Sequence, residues 1–405
     1  MEPLLKYLRK YQMLVLFTFF VLVFQGCSDD TENPGSDQRG KLLSSGFITN
    51  YPSQIIKGFL DNYNIVVDID MQYDVDAFRI IYLTPGPGGV MTEASGALMI
   101  PKASLSFPAL SLQHGTETKR TNVASENPML TGEGIAALVA ASAGYVTFVP
   151  DYLGLGASGI MHPYLHAGLS ANAVADMLKA GITFCSINDI TLSGNLYIGG
   201  YSEGGYVTLA AQKQIEEDAS FPYELLASAP AAGPYDLYST VGHFIDLDEY
   251  PEPAFMAYLF TAYNDVYDWN RLDDIFNAPY AGMMPDLFDG TKTTGQISDV
   301  LPSKVSGLFT AGFISGFKTG KEIQVIDALK ENTLLSWAPV TPTKFWHSNA
   351  DEVVPYRNMI TAAEAFRNNG AENIETVTID GLPHADAGVT AYVGMIEWFD
   401  SLENK

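Results

Sequence analysis

The chain has 405 residues, 47% of them hydrophobic, which is enough for one large α/β domain or two smaller ones with a packed core. This apolar content argues against a chain that is disordered as a whole. The 22 Lys and Arg residues face 47 Asp and Glu residues, giving a formal net charge of −25. Nucleic-acid binding needs clusters of basic side chains, so the charge argues against it, and solubility explains the acidity.

The N-terminus has the layout of a secretory signal. Three basic residues precede an apolar run at residues 11–24, which is shorter than the about 20 residues that a transmembrane helix needs. We therefore predict a signal peptide over residues 1–26. The following Cys27 ends a segment that resembles the lipobox of bacterial lipoproteins, although Phe24 and Gln25 depart from the usual pattern. The resemblance implies that Cys27 is acylated and anchors the protein to a membrane.

Residues 27–45 are rich in small and polar residues and are predicted to form a flexible tether. Within it, Ser28-Asp29-Asp30 resembles the acidic tag with which some bacterial lipoproteins reach the cell surface, so we expect an exported protein at the outer membrane or cell surface. Cys185 is the second of the two cysteines. Acylated Cys27 would leave Cys185 without a partner, so no disulfide is expected and Cys185 is interpreted as a small buried side chain.

Strand-like and helix-like segments alternate along the chain after the tether. In order, they are strands at 78–83, 96–100 and 109–113, a helix at 134–143, a strand at 145–149, a helix at 169–184, and strands at 196–199 and 227–229. The first two strands are predicted to form a hairpin at one sheet edge. The alternation predicts a mostly parallel sheet with helices on both faces, within one domain at 46–405.

From about residue 234 to 338 the pattern changes to aromatics, prolines and loose helical periods. Residues 250–288 hold ten aromatic side chains, where the average of 12% would give about five. We predict an inserted, mainly helical cap, in which most aromatics pack and a few line an apolar substrate cleft. The sheet resumes with strands at 344–347 and 374–379, and a helix at 389–402 closes the chain.

The sequence Gly200-Tyr201-Ser202-Glu203-Gly204-Gly205 lies between a strand and a helix. A serine at such a tight turn has its hydroxyl exposed at the end of the strand, and the helix N-terminus beneath it helps to stabilise an oxyanion. A serine hydroxyl is a poor nucleophile, so it needs a histidine to take its proton and a carboxylate to orient that histidine. Asp351 and His384 follow later strands, which gives the chain order Ser, Asp, His.

With these motifs the chain resembles the α/β-hydrolases over roughly residues 50–402, and within them the secretory lipases and esterases. The resemblance implies that Ser202 is the nucleophile, Asp351 the acid and His384 the base. It assigns the oxyanion hole to the amide of Glu203 and to an amide of the His114-Gly115-Thr116 loop, either Gly115 or Thr116. Glu203 differs from the Gln or Met common at its position, and its side chain is interpreted as an ion-pair partner.

Other acidic residues and histidines are alternatives for the same roles. Asp236 follows the strand after the nucleophile turn, from which some α/β-hydrolases supply their acid, and Glu352 is the neighbour of Asp351. His347 is interpreted as a structural residue at a strand end. The remaining histidines lack the position after a strand that the base requires, or lie in the oxyanion loop: His114, His162, His166 and His243.

No cofactor and no metal ion are expected. The sequence Gly154-Leu155-Gly156-Ala157-Ser158-Gly159 fits a dinucleotide-binding pattern, but Pro150 separates it from the strand and Pro163 interrupts the helix that should follow. The acidic residues at 246, 248 and 249 lack the glycine and final glutamate of a calcium loop.

The sequence thus predicts a lipid-anchored serine hydrolase that cleaves small-molecule carboxylic esters through an acyl-enzyme on Ser202. A serine peptidase of the prolyl-oligopeptidase type shares the order of the triad, but the chain lacks the repeats of the propeller that such enzymes carry. A non-catalytic binding lipoprotein on a hydrolase scaffold and an acyltransferase are further alternatives.

Overall fold

The computed structural model describes residues 38–403. The expected signal peptide, the acylated Cys27 and the tether up to residue 37 lie outside the described residues. Strand β1 already begins at Leu42, before the expected end of the tether at residue 45 and the expected start of the domain at 46.

One sheet is the centre of the fold. Within residues 38–403 it has nine strands: β1 (Leu42–Tyr51), β2 (Val75–Pro85), β3 (Met91–Pro101), β4 (Ser106–Gln113), β5 (Val146–Pro150), β6 (Thr191–Tyr201), β7 (Glu224–Ala231), β8 (Thr343–Ser348) and β9 (Ile374–Ile379). Their order is β1-β2-β3-β5-β4-β6-β7-β8-β9. The pairs β1–β2, β2–β3 and β3–β5 are antiparallel, and every pair from β5 across to β9 is parallel. The predicted hairpin is β2 with β3, but it does not lie at the sheet edge, because β1 pairs with β2 on its outer side.

Helices cover both faces of the sheet, because strands such as the fully buried β5 need an apolar layer on each side. Helices α1 (Ser53–Asn62), α2 (Gly132–Ala143) and α14 (His384–Glu403) pack into the core of one face. Helices α3 (Ala167–Ile187), α4 (Glu203–Glu217) and α13 (Arg357–Asn368) pack on the other. The predicted fold class is therefore confirmed.

The chain between β7 and β8, where the insertion was expected, consists of short helices and loops. In this described segment the helices are α5 (Leu237–Asp246), α6 (Pro253–Val266), α7 (Leu272–Ile275), α8 (Tyr280–Leu287), α9 (Thr294–Ser298), α10 (Val305–Leu308), α11 (Ala311–Lys318) and α12 (Ile323–Glu331). In its interior, Phe260 contacts Phe309 and Phe313 edge-on, and the rings of Phe309 and Phe313 contact each other in a tilted arrangement. Its buried side chains form one continuous core with helices α3 and α4.

Three further properties bear on function. No helix between residues 38 and 403 combines the length and the apolar character needed to cross a membrane. The same part of the chain holds no cluster of His, Cys, Asp and Glu side chains arranged to bind a metal ion. Cys185 is buried in α3, and its burial raises the pKa of its thiol to about 12.

Candidate active site

Ser202 stands at the turn between β6 and α4 with φ 60° and ψ −123°, a left-handed conformation that is unusual for a residue other than glycine. Its N–H donates to the Ala231 carbonyl at 2.9 Å. The turn requires glycines beside it, because a Cβ at Gly205 would lie 2.1 Å from the Ala231 oxygen and one at Gly204 would lie 2.1 Å from the Gln113 oxygen. The crowded backbone thus fixes the serine at the end of the strand.

A chain of hydrogen bonds joins the three residues that the sequence placed in one triad. His384 Nε2 lies 2.9 Å from Ser202 Oγ, and His384 Nδ1 lies 2.6 Å from Asp351 Oδ2. Asp351 follows β8 and His384 is the first residue of α14. A carboxylate only accepts, so Nδ1 donates to Asp351 and Nε2 is left to accept the serine proton.

Both oxygens of the Asp351 carboxylate have hydrogen-bond partners. Its Oδ1 accepts from the amides of Val353 at 2.9 Å and Val354 at 2.8 Å. His347, on β8, approaches Oδ2 at 3.2 Å. Although burial by itself raises the pKa of Asp351, hydrogen bonds from His347 and His384 hold it well below its usual value. The Asp351 carboxylate is therefore ionised at neutral pH. His347 also contacts this carboxylate, and the spacing of four residues between His347 and Asp351 is a sequence signal for that contact.

The other candidate acids and bases have different partners. Asp236 accepts from the Ser239 amide at 3.2 Å and caps α5. Glu352 accepts from the amide of His384 at 3.0 Å and so holds the start of α14. His166 caps α3, and His243 lies in the last turn of α5.

The structure is similar to that of the rice cell wall degrading esterase LipA from Xanthomonas oryzae, with a TM-score of 0.79 and 31% identity over 89% of this chain and 96% of LipA. The chain is an α/β-hydrolase. Lipase A of Candida antarctica in its closed state shares the fold, with a TM-score of 0.66 and 16% identity over 91% of this chain and 86% of the lipase. No protein-family model and no curated protein matches the chain.

His114 holds the His114-Gly115-Thr116 loop, which lies beside Ser202, in one conformation. Its Nδ1 lies 2.7 Å from the Gly115 oxygen and its Nε2 lies 3.0 Å from the Asp151 oxygen. A carbonyl oxygen only accepts, so each ring nitrogen must donate a proton to make these two bonds, which favours the protonated ring. Burial lowers the pKa of His114, but the charges of Glu133 and Glu203 and the two backbone hydrogen bonds together raise it above its usual value. His114 thereby holds the Gly115 carbonyl in one direction.

The loop runs directly over the nucleophile turn. A Cβ at Gly115 would lie 3.7 Å from Ser202 Cβ. Within residues 38–403 the backbone amides of Gly115, Thr116 and Glu203 have no hydrogen-bond partner. Unpaired amides beside a serine are the donors that an oxyanion hole needs.

The Glu203 side chain forms the ion pair expected from the sequence, and its partner is His162. Glu203 Oε1 lies 2.8 Å from His162 Nε2, while His162 Nδ1 lies 2.7 Å from the Leu153 oxygen. Nδ1 donates to that oxygen, and the hydrogen bond at Nε2 holds the buried Glu203 side chain in place. Nothing in the local sequence indicated this partner, since the two residues lie on separate segments.

Two cavities of unequal size meet at Ser202. The larger cavity, which we call the cleft, is open to solvent and measures about 440 Å³. It is lined by residues from 59–67, α2, α14 and the loop at 115–117. The smaller, which we call the inner chamber, measures about 40 Å³ and lies among apolar side chains of α5 and α6. Of the described residues, only Ser202 and Phe255 line both. Phe255 is therefore one of the few insertion aromatics that reach the site.

Two carboxyl groups, those of Glu117 and Glu133, line the cleft. Burial and the nearby charges of Glu133 and Glu203 raise the pKa of Glu117 to about 7, while Asn122 and His114 act in the opposite direction. Glu117 thus changes charge close to neutral pH.

We expect Glu117→Gln to reduce the pH dependence of stability. Between the unfolded pKa of 4.5 and about 7, the folded chain binds more protons at Glu117 than the unfolded chain does. The free energy of unfolding therefore falls as pH rises through this window, by an amount of the order of 1–3 kcal/mol. Urea unfolding midpoints at pH 5 and pH 8 measure the difference. The exposed Glu364→Gln is the matched control, and a wild-type pH dependence in Glu117→Gln would contradict the assignment.

Proposed function

We propose that the protein is a serine hydrolase of carboxylic esters, and the hydrogen-bonded series Ser202, His384, Asp351 carries this proposal. His384 Nε2 takes the proton of Ser202 Oγ as the oxygen attacks the acyl carbon. The C–O bond to the alcohol then breaks, and His384 gives its proton to the departing oxygen. Water, deprotonated by His384, releases the acid and restores Ser202. The esterases and lipases among the similar solved structures support an ester as substrate.

We place the oxyanion hole at the amides of Glu203 and Thr116. The carbonyl and N–H of one trans peptide point in opposite directions. His114 holds the Gly115 carbonyl, so the Thr116 N–H of the same peptide points away from the His114 ring. The neighbouring Gly115 lies against Ser202, and neither donor is occupied within the described chain. This geometry favours Thr116 over Gly115 as the second donor.

A fluorophosphonate probe tests the proposal directly. Folded protein should be labelled at Ser202 and should hydrolyse p-nitrophenyl acetate, and the label should block hydrolysis. Absence of label from folded protein would refute the proposal. Turnover of a proline-containing peptide amide without turnover of the ester would instead favour the peptidase.

The two cavities support a particular orientation of the ester. The alcohol leaves before water enters, so the alcohol is best placed in the wide cleft and the acyl group in the smaller, apolar inner chamber. At 10–15 Å³ for each water-sized group, the 40 Å³ chamber holds about three such groups. We therefore propose short acyl groups, of about two to four carbons.

Replacing Met256 should lengthen the preferred acyl group. Phe244, Tyr250 and Met256 separate the inner chamber from a further cavity of about 10 Å³. Met256→Ala removes part of that wall, so the optimum in a series of p-nitrophenyl esters should shift by about two carbons. Met284→Ala is the matched control, because Met284 is also buried in the insertion but lines neither cavity. An equal shift in both variants, or in neither, would show that this wall does not set acyl length.

We further propose that the protein is exported as a lipoprotein anchored through Cys27, which rests on the sequence of residues 1–30. Metabolic labelling with a radioactive fatty acid tests this anchor. The label should be present on the full chain and absent from Cys27→Ser.

A further inference from the structure

The cleft combines aromatic surface with negative charge. Its lining includes five aromatic side chains: Phe59, Tyr63, Tyr201, Phe255 and Tyr392. It also includes Glu117 and Glu133, whereas none of its described lining residues is Lys or Arg. Aromatic faces together with carboxylates form the environment that recognises organic ammonium groups.

Glu133 makes no hydrogen bond or ion pair within residues 38–403, although the residue as a whole is only 8% exposed. Its charge also acts on His114. The Tyr392 ring lines the same cleft. Burial raises the pKa of Tyr392, and the charge of Glu133 raises it further. The charge of Glu133 therefore acts on groups inside the cleft. The Glu133 oxygens are not among the fully buried polar atoms that lack a partner, so the carboxylate keeps access to the cleft, where a cation would pair with it.

We propose that the cleft selects esters whose alcohol part carries an organic ammonium group, an inference that rests on the proposed ester hydrolysis at Ser202. The net charge of −25 adds a long-range attraction for cationic substrates. The cleft is the side from which the alcohol leaves, so the ammonium group belongs to the alcohol.

A neutral polyhydroxy alcohol fits this lining less well, because it needs hydrogen-bond donors as well as acceptors. The hydroxyls of Tyr201 and Tyr392 already donate to the carbonyls of His384, at 2.7 Å, and Gln113, at 3.4 Å. The Thr116 hydroxyl is bonded to that of Tyr164 at 2.9 Å. The cleft thus offers aromatic faces and carboxylates, and of its tyrosine and threonine hydroxyls only that of Tyr63 makes no hydrogen bond within residues 38–403.

The test compares acetylcholine with 3,3-dimethylbutyl acetate, which has the same shape with carbon in place of the charged nitrogen. At pH 8, where Glu117 is ionised, kcat/KM for acetylcholine should exceed that for the neutral ester by about tenfold or more. The ratio should fall as salt is added. Tetraethylammonium should inhibit hydrolysis of the neutral ester competitively, a measurement that needs no variant.

Variants locate the charge that is responsible. Glu133→Gln and Glu117→Gln should each lower the ratio several-fold, and Glu364→Gln, which removes one exposed charge outside the cleft, should keep it. Equal rates on the two esters without inhibition by tetraethylammonium would overturn the inference and leave ester hydrolysis intact. So would a higher kcat/KM for glycerol monoacetate than for acetylcholine. Failure to hydrolyse any acetate ester would instead refute the proposed function.

Discussion

Ser202→Ala should lose about a million-fold in kcat for ester hydrolysis. The alanine has no oxygen to attack the acyl carbon, and in serine hydrolases with this triad the loss of the nucleophile alone costs about as much as the loss of the whole triad. The remaining rate should come from the oxyanion amides and substrate binding. Initial rates on p-nitrophenyl acetate, with labelling by the fluorophosphonate, measure the effect.

The control for this variant is Ser228→Ala. The Ser228 hydroxyl is buried on β7 and has no hydrogen-bond partner among the described residues, so its removal should neither destabilise the fold nor lower activity. Both variants should show the circular dichroism spectrum and thermal midpoint of the wild type. Activity above a few per cent in folded Ser202→Ala would assign the nucleophile to another residue.

Asp351→Asn should lower kcat by about ten-thousand-fold. The asparagine amide donates where the carboxylate accepted, so it favours the proton on His384 Nε2 and leaves Nδ1 as the acceptor. Nε2 could then no longer take the serine proton. Steady-state rates on a short ester measure the loss, and the KM should change far less than kcat, because Asp351 does not line the cleft.

Asp236→Asn and Glu352→Gln decide between the alternative acids. Asp236 only caps α5, and asparagine is as good a cap, so activity should be kept. Glu352→Gln keeps an acceptor for the His384 amide, so kcat should fall by tenfold at most. If Asp236→Asn lowered kcat as much as Asp351→Asn does, Asp236 would be the acid of the triad.

The sequence predicts those parts of the fold that local pattern determines. Alternating apolar segments indicated the parallel sheet, and the glycines around Ser202 indicated the tight turn. Asp351 and His384 followed from chain order because the carboxyl ends of parallel strands meet at one edge. By contrast, β1 and α1 carry mixed apolar and polar residues, so neither was predicted, although residues 59–67 form a wall of the cleft.

The start of the last helix, α14, shows a second limit of prediction from the sequence. The prediction began the helix at residue 389, because Pro383 and the polar residues after it are typical of a loop. In the structure Pro383 directly precedes the first helical residue, His384, where proline's missing N–H costs little. The pair His162–Glu203 depends on how two separate segments meet in three dimensions, and local sequence does not encode that meeting.

The hydrogen bond between His162 and Glu203 determines where the Glu203 side chain lies relative to the proposed oxyanion hole. In the proposed reaction, negative charge collects on an oxygen beside the backbone of Glu203, and a carboxylate that turned toward this oxygen would repel it. His162 Nε2 binds Oε1 of Glu203 at 2.8 Å and keeps the buried side chain in one position. A histidine from a separate segment thus lets a glutamate follow the proposed nucleophile while its backbone amide stays available.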